Sequence, residues 1–179
     1  SLERASSYGI VTLDDDRVVD FQEKPDEPAS TLVSIACYAF PADAVGLFEE
    51  YLTAGNNPDE PGWFIQWLHE RLPTYVFAFD DPWFDIGEPA AYLDTVQFTL
   101  DGAVSVDDTA TVTKTTFGEN VLVLDNAVIE DAHLTDTVVF PEATISDASL
   151  DRTIVDEAAS IEGIDLSDSL VGAHTDISK

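Results

Sequence analysis

The sequence predicts an α/β layered segment over residues 1–101, followed by a stacked parallel β-solenoid over residues 102–179. Three observations support this fold class. Apolar strands alternate with helical segments up to about residue 100, aliphatic residues recur every 16 positions after it, and hydrophobic residues make up 45% of the chain. Alternating strands and helices are typical of a layered α/β structure, whereas a fixed period is typical of a solenoid. The apolar fraction is sufficient for a packed core.

The first segment opens with a predicted β-hairpin. Residues 8–13 and 18–21 have the composition of strands, and the aspartates at 14–16 favour a turn between them. Residues 32–40 are mostly apolar, so we expect a third strand that is buried on both faces. A helix then runs from residue 41 to about 52, with Val45, Phe48 and Leu52 on its apolar side.

Prolines and glycines divide the remainder of the α/β segment. Residues 55–62 contain two of each and are interpreted as a loop. A helix over 63–72 ends before Pro73, a strand is expected at 74–79, and Pro89 starts a helix that ends near Leu100. These elements are too few for a complete α/β domain, and no turn or cap precedes the first strand. We therefore expect the chain to be part of a longer protein.

The second segment repeats with a period of 16 residues. Its apolar anchors lie five or six positions apart within each repeat, which predicts three short strands per coil around a narrow apolar axis and argues against helices. The aligned columns are Leu122, Val138, Ile154 and Leu170; Val123, Val139, Val155 and Val171; Ile129, Ile145, Ile161 and Ile177; Leu134, Leu150 and Leu166; and Ala127, Ala143 and Ala159. This pattern resembles the left-handed parallel β-helix of hexapeptide-repeat proteins, with four or five coils.

The charge of the chain is strongly unbalanced. It has 36 acidic and 7 basic residues, a formal net charge of −29. Such a field repels nucleic acid and anionic membranes, and no basic stripe offsets it. Because salt screens this self-repulsion, with a Debye length of about 3 Å near 1 M, the acid excess predicts a halophilic protein; a generally acidic protein is the alternative.

The cysteine content and the hydropathy favour a cytoplasmic protein. Cys37 is the only cysteine, so there is no disulfide framework. It lies in an apolar run, and we expect a buried, reduced thiol. No apolar run approaches 18 residues and the start does not resemble a signal peptide, so we expect neither export nor a membrane span.

Lysine is scarce, which makes Lys24 conspicuous. The other two lysines are Lys114 and the terminal Lys179. Lys24 follows Glu23 and precedes Pro25, which favours extended geometry for the residue before it. A lysine ammonium is suited to an anionic group such as phosphate. The structural alternative, favoured by these residues alone, is a strand that ends in a charged turn.

Three motifs occur in an order typical of one enzyme family. Tyr8-Gly9-Ile10-Val11 precedes the hairpin, Glu23-Lys24-Pro25 follows it, and Trp83-Phe84-Asp85-Ile86-Gly87-Glu88-Pro89 opens a helix before the β-helix. The chain resembles the C-terminal part of a sugar-1-phosphate nucleotidyltransferase, an NDP-sugar pyrophosphorylase. The glucose-1-phosphate thymidylyltransferase type with an archaeal-style β-helix is the most similar, and with the acidic composition it suggests a haloarchaeal source. The resemblance covers essentially the whole chain.

The resemblance implies roles for individual residues. Tyr8 and the backbone of Gly9 would line the sugar pocket, and backbone near Ile35 and Ala36 would approach the sugar. Glu23 would accept hydrogen bonds from sugar hydroxyls, and Lys24 would hold the phosphate that attacks an NTP. Asp85 would supply one carboxylate to Mg²⁺. The structural alternatives are a capping or turn carboxylate for Asp85, a strand aromatic for Tyr8 and a solvated charge for Glu23.

The sequence also departs from the family. The family's glycine-rich N-terminal loop and the partner aspartate of its metal site have no match here, so we expect the chain alone to bind NTP poorly and to turn over nothing. Glu88 stands where threonine is usual, and Ala36 replaces a usual glycine. Glutamate caps a helix less well than threonine, although its charge suits the helix N-terminus.

Two other functions remain open. The chain could be a non-catalytic β-helix module for homo-oligomerisation that carries a vestigial half-domain, because open solenoid ends need covering. It could also be a hexapeptide-repeat acyltransferase, which needs a catalytic histidine. His133 and His174 lie in the repeats, His69 lies near the end of a helix, and we expect all three to face solvent.

Overall fold

The computed structural model describes residues 5–179. The chain divides into two compact units, Ser1–Asp80 and Asp81–Lys179. The second unit holds the last helix together with the solenoid, because that helix packs on a solenoid strand. The boundary predicted after residue 101, between the α/β segment and the solenoid, stays a prediction. Within residues 5–179, no helix combines the length and apolar character needed to cross a bilayer.

The predicted hairpin is confirmed and forms the centre of the first unit. Strand β1 covers Gly9–Asp14, and β2 covers Arg17–Glu23. They pair antiparallel with Gly9 opposite Glu23. Asp15 takes a left-handed backbone, with φ of 54°, at the turn between them. The hairpin therefore places the start of β1 beside the end of β2.

One helix packs directly on β2 of the hairpin, and a second helix packs on the first. A short 3-10 helix, Ala42–Ala44, precedes α1, Gly46–Thr53, and α2 covers Pro61–His69. The predicted helices therefore exist with different bounds, and Pro61 starts α2 inside the predicted loop. Val45 and Leu52, expected on a buried face, are 59% and 51% exposed. The core is built instead from Val11, Val18, Phe21, Tyr51, Phe64, Ile65 and Leu68.

Two predicted strands are wrong. Residues 32–40 and 74–79 pair with the hairpin backbone only through isolated bridges, Ile10 with Val33 and Arg17 with Tyr75. In the first segment Ala36 adopts a left-handed φ of 57°, which interrupts extended geometry. In the second, the side chain of Phe77 is 89% exposed. The buried thiol expected from the apolar run is also wrong, because Cys37 is exposed.

Helix α3 is the first helix or strand of the second unit, and it spans Pro89–Leu100, as predicted. Pro89 occupies the first turn, and Glu88 at the N-cap makes no side-chain capping hydrogen bond, in line with its weak capping tendency. Asp101 ends the helix in a left-handed conformation. Leu93 of α3 packs against Val138 and Ile154 of the solenoid.

The solenoid consists of ten short parallel strands, and the predicted columns are confirmed to the residue. Val123, Val139, Val155 and Val171 pair in register, as do Ile129, Ile145, Ile161 and Ile177. Val106 extends the valine column at a spacing of 17, a coil that the 16-residue period did not reveal. The strands are β3 Val104–Val106, β4 Thr111–Thr113, β5 Thr116–Phe117, β6 Val121–Val123, β7 Val128–Thr135, β8 Val138–Val139, β9 Thr144–Val155, β10 Ser160–Glu162, β11 Leu166–Val171 and β12 Asp176–Ser178.

The solenoid interior is mainly aliphatic, with Thr137 and Thr153 as its buried polar residues. Its anchors Ile129, Leu134, Ile145, Leu150 and Ile161 are fully buried. His133 and His174 are exposed, as expected, and His133 makes a hydrogen bond of 2.8 Å between Nδ1 and the hydroxyl of Thr116. His69 is half-buried, with Nδ1 2.6 Å from the carbonyl oxygen of Gln66.

Candidate functional site

The end of β2 presents Glu23 and Lys24 side by side. The backbone N–H of Lys24 donates to the carbonyl of Tyr8 at 3.1 Å, which extends the hairpin by one pair. The N–H of Glu23 donates to Oε1 of Gln66 in α2 at 2.8 Å. Lys24 has a left-handed φ of 45°, so the chain turns sharply here, and the extended geometry expected before Pro25 is not found. These bonds fix the backbone from which both charged side chains project.

The carboxylate of Glu23 lies against two glycines. A Cβ atom added to Gly62, in the first turn of α2, would meet Oε2 of Glu23 at 1.8 Å, and one added to Gly9 would meet the same oxygen at 2.8 Å. Only glycine therefore admits the carboxylate so close to the backbone of β1 and α2. A negative charge at this end of the helix is also favoured by the helix dipole.

This packing changes the acidity of Glu23. Partial burial raises the pKa of Glu23 above its ordinary value, and the Glu60 carboxylate raises it further, while the Lys24 ammonium opposes both effects. The carboxylate is therefore partly buried and lies near a cation, and when ionised its oxygens can accept strong, charge-assisted hydrogen bonds from hydroxyl groups.

Lys24 is paired with a residue that sequence reasoning missed. Its Nζ forms an ion pair with Oε1 of Glu60, and Nε1 of Trp63 donates to Oε2 of the same carboxylate at 2.9 Å. These hydrogen bonds raise the pKa of Lys24, chiefly through Glu60, and lower the pKa of Glu60, chiefly through Lys24 and then Trp63. The side chains of Lys24 and Glu60 are 44% and 41% exposed, so the pair lies at the protein surface.

The segment that follows residue 32 lies beside the start of β1, close to Gly9. The N–H of Ser34 donates to the carbonyl of Gly9 at 2.8 Å, and the hydroxyls of Ser34 and Tyr38 are 2.9 Å apart. Burial raises the pKa of Tyr38, and the charge of Glu23 adds to this rise, so the two groups interact. Ala36 is exposed, and its left-handed φ of 57° is one that the glycine usual in the family would adopt without strain.

Several predicted residues are therefore brought together in the first unit. Tyr8, Gly9, Glu23 and Lys24 are joined by the hairpin, and Ala36 lies two residues after the Ser34 bridge to Gly9. Tyr8 is half-buried. The cation, the carboxylate and the nearby hydroxyls of Ser34 and Tyr38 suit a ligand that carries both a phosphate and hydroxyl groups.

Asp85 belongs to the second unit. Its Oδ1 accepts a hydrogen bond from the N–H of Gly87 at 3.2 Å, so the carboxylate shapes the turn before α3 and is otherwise exposed. Across residues 5–179, no group of three or more histidine, cysteine or acidic side chains is placed to hold a metal ion. A single exposed carboxylate fits a magnesium ion that takes one or two protein ligands and completes its shell with phosphates and water.

The missed residues are those of the α2 start: Glu60, Gly62, Trp63 and Gln66. The sequence carried one usable signal, since Pro61 ahead of an apolar run marks a first helical position. That signal would have corrected the bounds of the helix. It would not have revealed the pairing with Lys24, which is 36 residues distant in sequence.

Comparison with known proteins assigns the first part of the chain to a family. The model of the nucleotidyl transferase family matches residues 1–102, more than half of the chain. A UTP–glucose-1-phosphate uridylyltransferase of Synechocystis is 32% identical over 102 residues, 55% of this chain and 25% of that protein. A glucose-1-phosphate adenylyltransferase of Thermotoga maritima is 36% identical over 98 residues, 51% of this chain and 23% of that protein.

A third relative extends into the solenoid segment. The bifunctional protein GlmU of Methanocaldococcus jannaschii is 25% identical over 131 residues, 73% of this chain and 31% of that protein. The matched part of the chain thus covers 23% to 31% of the length of these relatives.

Proposed function

The chain belongs to the nucleotidyl transferase family, and on that premise we propose that it supplies the sugar-phosphate half of a sugar-1-phosphate nucleotidyltransferase site. The enzyme would form an NDP-sugar and pyrophosphate from an NTP and a sugar-1-phosphate. The observation that carries this proposal is the adjacent placement of Glu23 and Lys24 at the end of β2, with the Glu23 carboxylate packed on glycine backbone.

In this proposal the candidate site residues of the first unit contact the sugar-phosphate. The ammonium of Lys24 binds the phosphate as a point charge. The carboxylate of Glu23 accepts hydrogen bonds from sugar hydroxyls, and its contact with Gly62 and Gly9 limits its freedom to move. Tyr8 and the backbone of Gly9 and Ala36 line the sugar. A fixed cation and a fixed acceptor together orient the substrate.

The reaction proposed is an in-line displacement. A phosphate oxygen of the sugar-1-phosphate forms a bond to the α-phosphorus of the NTP, and the bond to the departing pyrophosphate breaks. Lys24 holds the nucleophilic phosphate and offsets part of its negative charge, which matters in a chain of net charge −29. Asp85 would provide one carboxylate to Mg²⁺, and this ion supplies charge neutralisation to the phosphates when bound.

Glucose-1-phosphate is the first substrate to test. Two relatives carry glucose-1-phosphate in their names, although one transfers a uridylyl and the other an adenylyl group. The thymidylyl type suggested by the motifs is the third base to test. A cytoplasmic location, a haloarchaeal source and homo-oligomerisation through the solenoid belong to the same proposal.

The family match favours this function over the two alternatives. A vestigial oligomerisation module would not need the glycine contacts that hold Glu23. A hexapeptide acyltransferase would use a histidine in the repeats, whereas the match to the transferase family covers the segment before them. Acetyl-CoA binding to the solenoid would instead favour the acyltransferase function.

The decisive experiment measures glucose-1-phosphate binding to the 179-residue chain by calorimetry. We expect Lys24→Ala to weaken binding at least about ten-fold, the order expected for a hydrogen bond to a charged group. Lys114→Ala is the matched control, because Lys114 is an exposed lysine on the solenoid with a partner only at 3.9 Å. Wild-type affinity in Lys24→Ala would refute the proposal.

A second measurement tests catalysis. A separately produced N-terminal half of a relative, mixed with this chain, NTP, Mg²⁺ and glucose-1-phosphate, should release pyrophosphate. Lys24→Ala and Asp85→Asn should both abolish this release, and turnover by the 179-residue chain alone would contradict the expectation that these residues supply only the sugar-phosphate side of the site.

A further inference from the structure

The carboxylate of Glu60 is shared between two donors in the first unit. Oε1 contacts Nζ of Lys24, and Oε2 accepts from the indole nitrogen of Trp63 at 2.9 Å. Glu60 is the N-cap residue of α2, with extended backbone angles of −115° and 111°, and Pro61 follows it in the first turn. Its backbone is therefore constrained, while its side chain reaches across to the end of β2.

Lys24 is constrained in a similar way. Its backbone has φ of 45° and its N–H is bonded to the carbonyl of Tyr8. Movement of the ammonium therefore has to come from the four-carbon side chain. Because the side chains of Lys24 and Glu60 are 44% and 41% exposed, water screens the ion pair, and it exchanges more easily than a buried pair.

A phosphate bound to the Lys24 ammonium would lie next to the Glu60 carboxylate, which already contacts the same nitrogen. An ammonium has three donor hydrogens, so it can bind more than one oxygen. A phosphate dianion held by the same nitrogen as a carboxylate nevertheless experiences like-charge repulsion at contact distance, and Glu23 adds a further negative charge nearby. Binding of phosphate is favoured when the Glu60 carboxylate moves away.

We infer that Glu60 is a positioning residue that holds the Lys24 ammonium by occupying its anion position, and that a sugar-phosphate binds by exchanging with this carboxylate. The inference rests on the proposed function, since it takes the phosphate of the substrate as the competing anion. A phosphate therefore binds at the cost of releasing the Glu60 carboxylate from Lys24, whereas a neutral sugar leaves this ion pair in place. Glu60 thereby lowers the affinity of the site for phosphates without changing its affinity for neutral sugars.

The test compares Glu60→Gln with wild type in calorimetric titrations with glucose-1-phosphate, inorganic phosphate and glucose. Removing the competing charge should tighten binding of both phosphates by a factor of about 2 to 5, the range set by exposed ion pairs. Binding of glucose should not change. Glu70→Gln is the matched control, because it removes the same charge at the other end of α2, on a side chain that contacts Arg71; it should leave all three affinities unchanged.

Trp63 provides a readout in the wild-type protein that does not depend on the folding of a variant. Release of Glu60 from Lys24 changes the surroundings of the indole, so its fluorescence should change and saturate with the calorimetric binding curve. Trp63→Phe should remove this signal, which separates Trp63 from the two other tryptophans.

The outcomes are distinguishable. If wild type binds glucose-1-phosphate while Glu60→Gln binds it equally or more weakly, or if Trp63 fluorescence stays constant during binding, the exchange is refuted and the proposed function stands. If Glu60→Gln and Glu70→Gln tighten binding equally, the effect is one of net charge, and the exchange is again refuted. If wild type does not bind either phosphate, the proposed function fails and this inference fails with it.

Discussion

Replacing Gly62 with alanine separates the stability of α2 from the geometry of the candidate site. Gly62 lies in the first turn of the helix, where alanine is favoured over glycine by up to about 0.5–1 kcal/mol. The added Cβ would lie 1.8 Å from Oε2 and 2.1 Å from Cδ of Glu23. Since non-bonded heavy atoms prefer roughly 3.5 Å or more, the carboxylate has to move by about 1.5 Å.

The backbone of Glu23 cannot follow this movement easily. Its N–H is held by Gln66 at 2.8 Å, and its strand position is paired with Gly9. The side chain therefore rotates away, because its far end is the flexible part. We expect Gly62→Ala to fold, with an unfolding temperature equal to wild type or a few degrees higher. Glucose-1-phosphate binding should weaken by about ten- to a hundred-fold, since displacements near 1 Å cost about a hundred-fold in a positioned site.

The assay pairs thermal unfolding with calorimetric binding. Gly46→Ala is the matched control, because Gly46 begins α1 and a Cβ there has no neighbour within 4 Å. It should share any gain in stability and keep wild-type affinity. Wild-type affinity in Gly62→Ala, with an unchanged fold, would show that the position of the Glu23 carboxylate does not matter for binding.

Three further predictions concern stability. Leu150→Ala, at a fully buried position of the solenoid, should lower the free energy of unfolding by about 2–5 kcal/mol, whereas Leu170→Ala, at a side chain 54% exposed, should change it by about 0.5 kcal/mol or less; equal losses would contradict the assigned register. The pKa of Glu23 is raised on folding, so the folded state binds its proton more tightly and stability falls as pH rises from its ordinary pKa of 4.5 through the folded value. Glu23→Gln should therefore gain stability relative to wild type over that interval in unfolding curves, and a pH-independent difference would argue against burial as the cause. The charge of −29 predicts that the unfolding temperature rises between about 0.1 M and about 1 M KCl, and equal temperatures would remove the support for a halophilic protein.

The structure also explains why the two strand predictions failed. An apolar run shows that a segment is suited to a sheet, but a strand requires a partner with free hydrogen-bonding groups along its length. The backbone of residues 32–40 pairs only with the start of β1, at the bridge between Ile10 and Val33, and Ala36 then turns the backbone. The apolar composition indicates strand propensity in both segments, but it does not show whether a distant strand is available to pair with them.

The sequence by itself determined the features that depend on neighbours close in the chain. The hairpin, helix α3 and the solenoid register were all readable because turn residues, Pro89 and a 16-residue period act over short distances or repeat many times. Only the tertiary structure decided which groups surround Lys24 and Glu23. Glu60 and Gly62 approach them from residues almost forty positions away, and the contact depends on how α2 packs on the hairpin. No local sequence pattern predicts these contacts. Glu60 and Gly62 have the same local conformational preferences whether or not Lys24 and Glu23 lie beside them.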